Sequence, residues 1–256
     1  MKASASSAQV SPALGLLTKS GASAAGHGPP FQLPLALQVL IERAIAAAWN
    51  ACYPSWPRKY GSNVPDRSEV EITAELVEWL NLALDANPSP VPGWNSQTFE
   101  TVVRGGEVAS VGGSLEKRPD MTFRRCGNPN PGASGHSRTH NALFTECKIV
   151  DEAHPITRYW KDGMTRFTSG KYAWQMRHGL IVAYALGSQR ADPSLLKLLR
   201  EGSVAAVQTE MVRPPAIRSG AERATVYVSL HQRQSPVLGE FEIAHLWLNP
   251  VADGPA

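Results

Sequence analysis

The sequence predicts an α/β domain in which a central mixed β-sheet is flanked by helices. Two helical patterns come before the first strand pattern, a strongly amphipathic helix lies between strand patterns, and apolar or alternating strands continue to residue 248. That order, with helices and strands interleaved along one chain, is the mark of layered α/β architecture. At 256 residues, 43% hydrophobic and 18% charged, the chain has enough apolar side chains for a core and too little charge for a fully disordered protein.

The elements follow in order. Residues 1–30 are rich in Ala, Ser and Gly and read as a disordered N-terminal tail. Leu35, Leu37, Val39, Leu40, Ile41, Ala44, Ile45 and Ala48 recur at largely helical spacing over residues 34–51, and Tyr53-Pro54 stops that helix. Ser68 with Glu71 three residues on forms a capping-box pattern, and Ile72, Leu76, Leu80 and Ala83 set one apolar stripe over Val70–Leu84. Strand-like pieces run from Phe99 to Phe123, ending in a short strand over Asp120–Arg125. A Gly/Pro/Asn/Ser loop covers Cys126–Asn141, and a central strand spans Ala142–Val150. Ile156, Tyr159, Trp160, Gly163, Met164 and Phe167 then predict a helix, which Gly170 caps. A strand over Leu180–Leu186, a helix over Pro193–Arg200 and strands over Val226–Leu230 and Phe241–Leu248 complete a single domain at 31–250. Residues 251–256 form a short tail.

Three widely spaced cysteines, Cys52, Cys126 and Cys147, argue against a disulfide framework and for a reducing compartment, hence a cytoplasmic location. The apolar run Ala13–Leu17 is broken by Gly15 and is too short for a secretory signal. No membrane span is expected, because no stretch approaches 18 uncharged apolar residues. His136 and His140 with the cysteines lack the paired spacing of structural zinc.

The chemistry concentrates in Thr145-Glu146-Cys147-Lys148. Period 2 sends the Glu146 and Lys148 side chains to one face of a strand otherwise built for burial. A hairpin across the 126–141 loop brings Asp120 beside Glu146. Two adjacent carboxylates repel each other and favour a divalent cation between them; Mg²⁺ takes oxygen ligands of this kind. The plainer alternative is that Glu146 and Lys148 form an ion pair on a solvated edge.

Pro119-Asp120, then 25 residues, then Glu146-Cys147-Lys148 resembles the PD-(D/E)xK motif of the restriction-endonuclease-like nuclease superfamily. The resemblance covers about residues 70–186, leaving 187–250 as a C-terminal extension. It implies a restriction-endonuclease-like core and Mg²⁺-dependent hydrolysis of phosphodiester bonds in DNA, with Mn²⁺ as a substitute. Asp120, Glu146 and the backbone carbonyl of Cys147 are then the metal ligands, and Lys148 positions the attacking water. The helix acid of such proteins corresponds to Glu71 or Glu75, with Glu69 third. Glu71 is preferred because it adjoins Ile72 at the helix start, although the capping box accounts for it equally well. Restriction or anti-phage defence follows as a context, with a helicase, ATPase or other defence-system protein as partner. A double-strand cut implies a homodimer. The alternative is a catalytically inactive nuclease-fold subunit that binds nucleic acid or another protein.

Charge distribution agrees with a phosphate partner. Between Lys117 and Arg177 eleven residues are basic and five acidic, a net of +6 against +3 for the whole chain. Arg158 and Lys161 lie one turn apart on the polar face of the helix. Arg166 follows, free to pair with Asp162 instead, and Lys171 and Gln175 stand in the next connection, within possible reach of a phosphate. His231, Arg233 and His245 on the late strands either extend the site or form a satisfied structural group.

Overall fold

The computed structural model describes residues 32–56, 59, 68–105, 118–127, 141–170, 173, 176–186, 189, 191–201, 224–233 and 239–249. The expected tails at 1–30 and 251–256, and most of the 126–141 loop, lie outside the described residues.

Five strands build one mixed sheet: β1 (Met121–Arg124), β2 (Ala142–Val150), β3 (His178–Ala185), β4 (Ala224–Arg233) and β5 (Gly239–Leu248). Their spatial order is β1-β2-β3-β5-β4. β1 pairs antiparallel with β2, β2 and β5 flank β3 in parallel, and β4 returns antiparallel to β5. Every residue of β2 and β3 is buried, as expected for strands covered on both faces. The predicted α/β class with a mixed sheet between helices is therefore observed.

Helices α1 (Leu35–Cys52) and α2 (Glu69–Asp85) cover one face. Ile41, Ile45 and Trp49 of α1, with Ile72, Leu76 and Leu80 of α2, join Leu143, Cys147, Ile149, Leu180, Val182, Tyr184 and Leu246 in one core. Trp49 stacks on Tyr184 at 5.6 Å, and its indole N–H donates to the Asn249 carbonyl at 2.8 Å. By length and composition the stretch Leu35–Ser55 is apolar enough to cross a membrane, although it carries Glu42 and Arg43 and so is not an uncharged apolar run. Half of its window is buried inside the protein, where its apolar side meets the sheet.

The opposite face carries one helical run in three pieces: α3 (Ile156–Arg158), a π-helical stretch (Tyr159–Met164) and α4 (Thr165–Thr168). The spacing predicted a regular helix here. A π stretch is rare and is enriched at functional sites. α5 (Ala191–Glu201) adds Leu195 and Leu199 to the core on this side, together with Phe144, Val150, Tyr159, Phe167, Ile181, Ile243 and Trp247. Gly179 has no alternative, since a Cβ there would lie 2.6 Å from the Phe167 ring. The strand pieces expected from Phe99 reduce, within the described residues, to two isolated bridges, Phe99 with Arg125 and Val103 with Thr122. Asn81 of α2 holds that segment by bonding both the N–H and the carbonyl of Val102.

Candidate active site

The site forms where the β1–β2 ladder stops. Pairing reaches Met121 opposite Thr145, and Asp120 is the next residue out, where the same register continues to Glu146. Odd-numbered residues of β2 turn their N–H and carbonyl groups toward this edge. Past Thr145 these groups meet side chains instead of a strand. The Cys147 N–H donates to Asp120 Oδ2 at 2.7 Å, and the Ile149 N–H donates to Glu69 Oε2 at 3.3 Å. The Cys147 carbonyl accepts from Lys148 Nζ at 2.6 Å.

Lys148 gathers the acids. Its Nζ lies 2.7 Å from Glu146 Oε1, 2.9 Å from Glu69 Oε1 and 3.9 Å from Asp120 Oδ2. Glu146 is fully buried, so a solvated edge pair is excluded. Burial first, and then the Asp120 charge, push the Glu146 carboxyl up to about 7 against the pull of Lys148 and Arg166. Burial alone would depress the Lys148 ammonium, but Glu146, Glu69 and Asp120 together hold it above its ordinary range. Glu146 Oε1 takes both cationic partners, while Glu146 Oε2 is buried with no hydrogen-bond partner.

The helical run on the far face supplies the second cation. Arg166 Nη1 lies 2.5 Å from Glu146 Oε1. Gly163 in the π stretch faces the Lys148 stem, with its Cβ position 3.5 Å from Lys148 Cγ. Two anchors hold this run, and the sequence did not reveal their purpose. Tyr159 OH bonds His245 Nδ1 at 2.8 Å, His245 Nε2 meets Ser229 Oγ at 2.7 Å, and Ser229 Oγ meets His231 Nε2 at 2.6 Å. Burial lowers both imidazoles, His231 to about 4 and His245 to about 3, so each stays neutral and serves as a hydrogen-bonding strut. Arg233 donates to the carbonyls of Phe167, Ala173 and Met176 and lies 3.7 Å over the Phe241 ring. His231, Arg233 and His245 thus act as a structural group that fixes the run carrying Arg166.

Asp120, Glu146, Cys147 and Lys148 converge as the sequence predicts. The helix acid differs: Glu69 reaches the site and Glu71 does not. Glu71 closes the capping box, its Oε2 accepting from Ser68 N–H at 2.9 Å and its N–H donating to Ser68 Oγ at 3.2 Å. Glu75 Oε2 accepts from the Trp56 indole, and its Oε1 meets Lys59. Side chains on a helix tilt toward its N-terminus, so an acid at the first helical position projects past the helix end onto the β2 edge. The apolar stripe of α2, Leu76 and Leu80 with Ile72 and Thr73, extends back by helical spacing to Glu69, and that is the signal that identifies it. Arg158 and Lys161 are exposed on the helical run, Arg166 is committed to Glu146, and Lys171 and Gln175 lie outside the described residues.

Among the described residues no three His, Cys, Asp or Glu side chains form a ready-made cage. The groups that face Lys148 are nonetheless all oxygens, from Asp120, Glu146, Glu69 and the Cys147 carbonyl. With the unpartnered Glu146 Oε2, they suit a hard cation such as Mg²⁺. Cys147 contributes its backbone alone: burial pushes its thiol well up, so it stays protonated within the core. Comparison with protein-family models, with curated proteins and with solved structures finds no match, so what the site can do follows from its own geometry.

Proposed function

We propose that this chain is a divalent-cation-dependent nuclease that hydrolyses phosphodiester bonds in DNA, with a restriction-endonuclease-like core. One observation carries the reading: Asp120, Glu146 and Glu69, from three chain segments, meet at a single lysine beside a turned-out carbonyl. Asp120, Glu146 and the Cys147 carbonyl would hold Mg²⁺ or Mn²⁺. Once bound, that ion would supply Lewis acidity toward a phosphoryl oxygen and would make a coordinated water easier to deprotonate. Lys148 holds a donor proton and positive charge where a phosphate oxygen would arrive. Arg166 partly neutralises Glu146, so the buried acid does not repel an anionic substrate. Arg158 and Lys161 place exposed positive charge on the same helical run.

Plasmid cleavage in Mg²⁺ or Mn²⁺, against an EDTA control, tests this. Wild-type protein should cut, and Asp120→Asn should lose at least about 100-fold in rate, in line with removal of one preorganised electrostatic group. Equal cleavage by both proteins removes the assignment. Salt-sensitive DNA binding without cleavage by the wild type supports instead a nucleic-acid-binding subunit.

A paired test separates the two helix acids. Glu69→Gln should lower cleavage by about 10–100-fold, the scale for an outer partner of a metal site. Glu71→Gln should leave the rate unchanged and cost about 1 kcal/mol or less of stability as the cap weakens. Single-turnover rates together with thermal unfolding read both effects. The opposite ranking would return the helix-acid role to Glu71.

A further inference from the structure

Lys148 is unusual among the charges of this site because it occupies the position that collects every donor. Its ammonium lies within 2.6–2.9 Å of the Cys147 carbonyl, Glu146 Oε1 and Glu69 Oε1, and 3.9 Å from Asp120 Oδ2. The other cation, Arg166, touches the site through Glu146. Glu146 is 0% exposed and keeps one oxygen, Oε2, without a partner. A set of oxygens centred on one ammonium is also the set that a hard dication would take.

We propose that the Lys148 ammonium is the resident counterion of this cage and competes with a divalent cation for its oxygens, so that Lys148 sets the divalent concentration at which the site loads. This rests on the nuclease reading for its purpose, but not for its measurement. At low divalent concentration Lys148 bridges β2 to the first turn of α2 through Glu69. When Asp120, Glu146 and the Cys147 carbonyl turn to a dication, that ammonium is released toward the substrate side of the site. One side chain then has two places, guarding the cage in one and facing a phosphate in the other.

Calorimetric titration of Mn²⁺ into wild type, Lys148→Met and Arg166→Met tests the idea. If Lys148 shares the oxygens with the ion, Lys148→Met binds Mn²⁺ at least about 10-fold more tightly than wild type, because a charge at contact distance is removed. Arg166→Met, which removes a charge that meets the cage through Glu146 Oε1 alone, whereas Lys148 meets three of its oxygens, changes affinity by about threefold or less. Equal gains in the two variants would show a general charge effect and overturn the competition. Absence of binding in all three proteins would overturn the cation site itself, and the proposed nuclease with it. Should Lys148→Met fail to fold, the wild type still decides the point. The ¹⁵N resonance of the Lys148 ammonium should shift with the same midpoint as Mg²⁺ binding. A resonance unmoved at saturation refutes displacement.

Discussion

Lys148→Met is expected to lower metal-dependent DNA cleavage by about 10²–10³-fold, the scale for losing one preorganised donor at a reacting phosphate. Lys148→Arg should not rescue it. A planar guanidinium cannot sit among oxygens from three directions as an ammonium does. The same Met variant loses stability, yet it should still fold. Glu146 loses one of its two cationic partners, but its carboxyl already sits at about 7 and takes up a proton when that partner goes. That uptake limits the penalty to about 1–3 kcal/mol, the scale of an imperfectly satisfied buried polar group. The melting temperature should fall by a few degrees, to about 10 °C at most. Single-turnover cleavage and thermal unfolding measure the two effects separately. Retention of more than a tenth of the wild-type rate would remove Lys148 from the chemistry.

Glu146→Gln should abolish activity while making the protein more stable above neutral pH. The folded carboxyl titrates near 7, whereas its ordinary value is 4.5. Below pH 4.5 it is protonated both folded and unfolded, and contributes no pH dependence. Between 4.5 and 7 the unfolded chain ionises first, so unfolding releases a proton and stability falls as pH rises. Above 7 the loss is complete, on the order of 3 kcal/mol. Gln removes the titration and keeps the shape. Lys148 retains Glu69 and the Cys147 carbonyl, and Arg166 is about one third exposed and turns to water. Unfolding curves of the two proteins should therefore approach each other near pH 4.5 and separate by several degrees at pH 8, with the variant higher. A lower melting temperature for Glu146→Gln at pH 8 would show that the ion pairs outweigh burial. A more stable but inactive variant is the behaviour expected where function keeps a destabilising group in place.

Much of this architecture was legible because each signal was local. The capping box at Ser68 and the stripe of Ile72, Leu76 and Leu80 defined α2 to within a residue at each end. The hairpin across the loop placed Asp120 next to Glu146, since alternation along β2 and the ladder register follow from the pleat. The errors were non-local. The helix acid is the exception: adjacency to Ile72 favours Glu71, whereas the local helical stripe points to Glu69. Arg166 reads as a solvent-facing base until its neighbour across the sheet face is known. The predicted strand Val226–Leu230 runs on to Arg233 because β5 pairs along its whole length. His231 and His245 gave no hint that Ser229 joins them, because a chain of hydrogen bonds through a register step leaves no periodicity in sequence.

The mixed winding of the helical run has a consequence for how the protein tolerates length changes. Tyr159 opens the wide turns and is tied to His245, while Arg166 lies beyond them and is tied to Glu146. Each tie demands its own angular phase, and the wider winding between them reconciles the two. Removing a single residue from the intervening Trp160–Asp162 would let the run relax to ordinary winding, and because the wide turns hold about one residue more than α turns, the side chains beyond would keep their phase and Arg166 its place on the buried acid. Removing a second residue, which ordinary winding cannot absorb, would swing every side chain beyond it by about 100° and carry Arg166 away from Glu146 with no change in its own identity. The number of residues between the two ties is therefore as much a part of the charge balance as the charged groups themselves.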